Sequence, residues 1–118
     1  MPGQTSFGEF IRESRIHKAD PSFSVRKLAA RIGIEPSYLS KIERDEQPPP
    51  GEGTIRKLAQ ELKEDSDVLL ALAGKVPADL LEIIRARPRL FADLLRELKK
   101  MPDRAVLRLV REVRDGDW

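Results

Sequence analysis

The sequence predicts an all-α protein, on three observations. Apolar residues recur at three- and four-residue intervals in eight successive windows, and nowhere do they alternate as strand residues do. Glycine and proline punctuate the chain, at Gly33, Pro36, Pro48 to Pro50, Gly74, Pro77, Pro88 and Pro102. Serine or aspartate stands where several windows begin, as helix caps require. There is no internal repeat and no low-complexity tract.

Helix one is expected over about 6–18. In SFGEFIRESRIHKA, Phe7, Phe10, Ile11 and, one turn on, Ser14 and Arg15 share helical spacing, with Ser6 as N-cap and Glu9 three residues later. ADPSFS is a loop, because Asp20-Pro21 disfavours helix. Ser24 caps VRKLAARI, whose Val25, Leu28, Ala29 and Ile32 form one face before Gly33 ends it. Pro36, with no N–H to satisfy, suits the first turn of PSYLSKIER, reached through only GIE. Two short helices joined by a tight glycine turn make a helix-turn-helix. After DEQPPPGEG, Thr54 caps IRKLAQELK, with Ile55, Leu58, Ala59 and Leu62 inward, and Asp65 or Ser66 caps DVLLALAG. Pro77, Pro88 and Pro102 each open a further helix: PADLLEIIRAR, PRLFADLLRELKKM and PDRAVLRLVREV. Asp79 and Asp103 complement positive helix starts.

A length of 118 residues allows one modest core and argues against two independent ones, leaving room for an appendage. Without cysteine the chain has neither disulfides nor thiolate ligands, which fits a reducing compartment. Residues 1–10 lack a basic start followed by an apolar run, and no apolar stretch approaches the roughly 18 residues a bilayer span needs. The expectation is a cytoplasmic protein with no membrane partner. Net charge is +2 overall, −1 over residues 1–74 and +3 over 75–118, so bulk charge argues for no partner. Locally, residues 24–44 hold Arg26, Lys27, Arg31, Lys41 and Arg44 against Glu35 and Glu43 alone.

The run VRKLAARIGIEPSYLSKIERDEQPPPGEGTIRKLAQEL resembles the Cro/C1-type (XRE) helix-turn-helix regulators. It has an alanine inside helix two, glycine at the turn, SYLSKIER as recognition helix, a proline-rich loop, then threonine before Leu-Ala. The resemblance covers roughly residues 5–74. It implies a five-helix, lambda-repressor-like DNA-binding domain over 1–74 and a partner in double-stranded operator DNA, leaving 75–118 as a separate three-helix segment.

A recognition helix enters the major groove by its N-terminal end, so Ser37, Ser40 and Lys41 are the base-contact candidates while Leu39 and Ile42 face inward. Lysine donates to guanine O6 and N7, serine donates or accepts, and Pro36 or the Tyr38 ring suits a thymine methyl. Tyr38 and Arg44 are placed to reach phosphates, although Tyr38 equally suits closing the side of the core with its hydroxyl in water. Ser24 and the N–H groups opening helix two suit a phosphate, with Arg26 and Lys27 adding charge nearby. Arg31 and Glu43 read as structural. Two features depart from the family: Val25 stands where a phosphate-gripping glutamine is common, and HKADPSF is longer than the usual turn between helices one and two.

Catalysis has little support. His17, the single histidine, sits at a polar helix end without a cysteine, a phosphate loop or metal ligands beside it. Glu43, Asp45 and Glu46 form an acidic cluster at a helix exit, where such residues are common and imply no pocket. Neither a metal nor a cofactor is expected.

The last third carries more apolar surface than some forty residues can hide. Leu80, Leu81, Ile83 and Ile84 cover over half of one helix; Leu90, Phe91, Leu94, Leu95, Leu98 and Met101 follow, then Val106, Leu109, Val110 and Val113. A helix apolar beyond one stripe is buried on more than one side. The expected cover is the same segment of a second chain, making 75–118 a dimerisation domain whose interface holds Leu80, Leu81, Ile84, Phe91, Leu94, Leu95, Leu98, Val106, Leu109, Val110 and Val113. The alternative is packing back onto the first domain. These features point to a homodimeric repressor. The layout also loosely resembles small regulators paired with an ImmA/IrrE-type metallopeptidase, some in phage defence, where cleavage relieves repression. An antitoxin covering a toxin is the alternative within the DNA-binding class, and an adaptor using its helix-turn-helix as an interaction module is the alternative outside it.

Overall fold

The computed structural model describes residues 5–116, and among them every regular element is helical. The helices are α1 (Phe7–His17), α2 (Val25–Ile32), α3 (Pro36–Glu43), α4 (Glu52–Leu62), α5 (Ser66–Leu72), α6 (Ala78–Ala86), α7 (Pro88–Lys99) and α8 (Asp103–Asp115). The chain divides into two compact units, the first ending at Pro77 and the second beginning at Ala78.

Local chemistry sets most boundaries of the first unit. The Ser6 hydroxyl accepts from the Glu9 N–H at 3.1 Å and starts α1. Ser24 does the same for α2 through Lys27 N–H at 3.2 Å. Gly33 ends α2 in the left-handed region at φ 78°, a conformation that costs glycine nothing. Asp65 caps α5. Two expectations are corrected. Thr54 is not a cap: α4 begins at Glu52 with Gly51 as N-cap, and Thr54 lies in its first turn. The earlier start gains the Ile55 N–H to Gly51 carbonyl bond, at 3.0 Å, and places the Glu52 carboxylate at the positive helix end, 3.0 Å from Arg56. ADPSFS is not wholly irregular, since Pro21–Phe23 forms a 3₁₀ turn capped by Asp20. Among the last three prolines only Pro88 is a first helical residue; Pro102 is the N-cap of α8, and Pro77 precedes α6.

The core draws on all five helices of this unit, with Ile11, Leu28, Leu39, Ile42, Ile55, Leu58, Leu62, Leu69 and Leu70 fully buried. At Gly8 α1 approaches α3 closely: a Cβ there would lie 2.3 Å from the Ile42 carbonyl oxygen, 2.5 Å from Asp45 Oδ1 and 2.9 Å from the Glu43 carbonyl oxygen. Backbone oxygens at a helix end cannot rotate aside. Gly8→Ala is therefore expected to push α1 off α3 and destabilise the unit by roughly 1 to 3 kcal/mol despite alanine's better helix propensity, as denaturant unfolding would measure.

The second unit is built differently. None of α6, α7 and α8 contributes a buried residue. Leu94 and Leu98 of α7 and Val106, Leu109, Val110 and Val113 of α8 line one open apolar groove, rimmed by Arg114. Leu95 faces a second hollow with Ala92, Arg96 and Lys99. Leu90 is 65% exposed.

Candidate nucleic-acid interface

At about 100° per residue, Ser37, Ser40, Lys41 and Arg44 share one side of α3, and Leu39, Ile42 and Glu43 the other. The structure buries Leu39, Ile42 and Glu43, exposes Ser37, Lys41 and Arg44, and half-buries Pro36 and Ser40. Tyr38 lies between the sides, its ring packed against the core, so its core-closing role is visible in the fold. Pro36 occupies the first turn of α3, and Glu35, its N-cap, makes no side-chain capping bond. On α2, Ser24, Arg26 and Lys27 are exposed around the first turn. Val25, which replaces the polar residue common at that position, turns inward against the core.

Charge on this face is more selective than composition implies. Arg31 is committed to Glu61 of α4 at 2.5 Å, and Arg44 is paired with Glu46. The hydrogen bond from Arg44 holds the Glu46 carboxyl below its ordinary range, and the same bond raises the Arg44 guanidinium. Both partners are exposed, so water screens the pair and a phosphate can take over the arginine. Arg26, Lys27 and Lys41 make no ion pair among the described residues. They are the uncommitted cations of α2 and α3.

α3 is held in place from behind. Arg15 of α1 forks onto Glu43, Nε donating to Oε2 and Nη2 to Oε1, each at 2.8 Å, and its Nη1 donates to the Phe23 carbonyl at 3.2 Å. The hydrogen bonds to the Glu43 carboxylate raise the Arg15 guanidinium above its ordinary value. At 5% exposure and held by Arg15, Glu43 is the structural residue its sequence reading expects, apart from the exposed Asp45 and Glu46. Asp45, left-handed at φ 60°, accepts from the Ser6 hydroxyl at 2.8 Å and ties the exit of α3 to the start of α1. Sequence reasoning missed the Arg15–Glu43 pair and the close approach at Gly8. The signals were a charged residue one turn beyond Ile11 on an apolar face, and a glycine inside a helix.

The segment between α1 and α2 is also tightly bound. Asp20 Oδ1 accepts from the Ser22 N–H at 2.9 Å, and this bond holds the Asp20 carboxyl below its ordinary range. Arg31 Nη1 donates to the Ser22 carbonyl at 2.5 Å, and its guanidinium lies 4.9 Å from the Phe23 ring centroid. His17, exposed at the end of α1, has its Nδ1 2.9 Å from the Glu13 carbonyl. Among the described residues no group of three or more His, Asp or Glu is placed to hold a metal ion, and no helix is long and apolar enough to cross a membrane.

Residues 8–75 match the family described as a helix-turn-helix domain. The protein named uncharacterized HTH-type transcriptional regulator RghRB, from Bacillus subtilis (strain 168), is 38% identical over 72 residues, which is 61% of this chain and 50% of that protein. The chain thus matches about half the length of this curated relative. A solved chain from a complex of the SinR and SinI proteins is 25% identical, covering 80% of this chain and 99% of that one with a TM-score of 0.48.

Proposed function

The chain belongs to the helix-turn-helix domain family, and from that premise we propose that it is a homodimeric, sequence-specific transcriptional repressor of a palindromic operator. The observation that carries this reading is the division of α3 into a buried side locked to α1 and an exposed polar side carrying Ser37 and Lys41. A helix held so firmly from behind, with Ser37, Lys41 and Arg44 exposed along its polar side, suits insertion into a major groove. Ser37, Ser40 and Lys41 read base edges, with Pro36 against a thymine methyl. Ser24, Arg26, Lys27, Tyr38 and Arg44 hold phosphates and set the register.

Dimerisation follows from two physical needs. One recognition helix reads only a few base pairs, and pairing two about 34 Å apart supplies the rest of the site. The second unit, which buries no residue of α6 to α8, needs a cover for its apolar face, and a second copy supplies one. Residues 75–118 are accordingly the dimerisation domain; of the interface residues expected from sequence, Leu94, Leu98, Val106, Leu109, Val110 and Val113 line the α7–α8 groove, while Leu80, Leu81 and Ile84 stand on α6, Phe91 on α7, and Leu95 faces the second hollow. Cleavage in α7 or α8 by a metallopeptidase would expose Leu94, Leu98, Leu109 and Val110, break the pairing and relieve repression. The same exposed groove favours a second reading, an antitoxin whose C-terminal helices cover a toxin; a stable complex with a neighbouring gene product would reveal it. The proposed setting is cytoplasmic and the activity non-enzymatic.

Selection of bound fragments from random DNA, followed by gel shifts, tests the assignment. Lys41→Ala should relax base preference at one position per half-site at a cost of about 1 to 3 kcal/mol, whereas Arg44→Ala should weaken all sequences alike and flatten the salt dependence. Uniform losses from both substitutions would remove Lys41 from direct readout.

A further inference from the structure

The long turn between α1 and α2 is bound more thoroughly than a connector requires. Its two successive carbonyls, Ser22 and Phe23, each accept from a different arginine: Arg31 on α2 and Arg15 on α1. Each arginine is anchored in turn by an acid on another helix, Arg31 by Glu61 of α4 and Arg15 by Glu43 of α3. The Phe23 ring lies under the Arg31 guanidinium, with the Lys18 ammonium 5.6 Å from its centroid. The turn's own N–H groups are consumed internally, Ser22 by Asp20 Oδ1, Phe23 by the Asp20 carbonyl and Ser24 by the Pro21 carbonyl. What this binding fixes is the peptide plane leading into Ser24.

We propose that Arg31 is a positioning residue for DNA binding, which clamps the Pro21–Phe23 turn to α4 and thereby sets the Ser24 hydroxyl against a phosphate. The proposal rests on the DNA-binding reading above. Ser24 needs such a clamp and its neighbours do not: Arg26 and Lys27 have long side chains that follow a phosphate over several ångströms, whereas a serine hydroxyl has no reach beyond its backbone. Its oxygen already accepts from the Lys27 N–H, leaving its own hydrogen to donate to a phosphate oxygen. The clamp also explains why Val25 can turn inward without loss of the grip, because the contact moves one residue back to a hydroxyl on a fixed backbone.

The test uses the full chain in gel-shift titrations on its operator and on a random-sequence duplex, at several salt concentrations, with thermal melting measured in parallel. Arg31→Lys and Phe23→Leu both keep the charge of the face while breaking the fork or its platform. Each is expected to weaken binding to both duplexes by about tenfold, the scale of one lost hydrogen bond to a charged group, with base preference and salt slope unchanged. If Arg31→Lys instead binds as the unsubstituted chain does while Arg31→Ala lowers the salt slope by about one, Arg31 touches a phosphate itself and the proposal falls. Variants that melt lower yet bind DNA unchanged would make the clamp purely structural and also overturn it. Failure of the unsubstituted chain to bind any duplex would overturn the DNA-binding reading, and the positioning role with it.

Discussion

A fragment ending at Pro77 is expected to keep its helical fold, to run as a monomer, and to lose affinity for the operator by about 10²- to 10⁴-fold. Retention of the fold follows from where the core lies. Among the described residues, every buried apolar side chain apart from proline falls between Phe7 and Leu70, so the cut removes none of them. The ion pairs and caps that orient α3 and start α2 also lie within the fragment. What leaves is α6 to α8, none of which contributes a buried residue. The affinity loss is an avidity loss, because two half-site contacts held together act at an effective concentration far above that of free monomers. Circular dichroism, sedimentation and gel shift give the three readings. In the intact chain, Leu98→Asp should have the same effect on association and binding without altering the α1–α5 core. If the Pro77 fragment still dimerised and bound the palindrome at near-intact affinity, the C-terminal dimer and relief by proteolysis would both have to be abandoned.

The legible parts of this molecule are those governed by neighbours in sequence. Ser6, Ser24 and Asp65 cap where their types and positions indicate, Gly33 takes the left-handed turn, and the periodic Leu28, Ala29, Leu39 and Ile42 are buried. Thr54 failed as a cap because residue type competes with backbone geometry, and Gly51 offered an earlier start with Glu52 at the dipole. Relations between helices were not legible. Nothing local shows that Arg15 meets a carboxylate 28 positions away, or that Gly8 faces the carbonyls ending α3. At the interface, composition overstated the charge: Arg31 serves the turn before α2, and Arg44 already holds an acid. The exposed side of α3, with Ser37, Lys41 and Arg44, was readable from its period.

Glu43→Ala is expected to be among the most damaging single substitutions in the first unit, at about 3 to 5 kcal/mol. The carboxylate side chain is 4% exposed and its arginine 14%, so water cannot replace the lost partner. Truncation would strand the Arg15 guanidinium with the Phe23 carbonyl as its one remaining acceptor among the bonds described above. A domain of this size has in all about 5 to 15 kcal/mol, and the predicted loss corresponds to a fall in Tm on the order of 20 °C. Function should suffer with stability, since the fork helps tie the end of α3 to α1. Glu43→Gln, which keeps an acceptor but removes the charge, should fall between the two. The double substitution Arg15→Met, Glu43→Leu separates a stranded charge from lost packing: apolar side chains of similar volume need no partner, so most of the stability should return. Denaturant unfolding of the four proteins decides the matter. A loss below about 1 kcal/mol for Glu43→Ala would mean that the pair behaves as a solvated surface bridge, and its role in holding α3 would have to be given up.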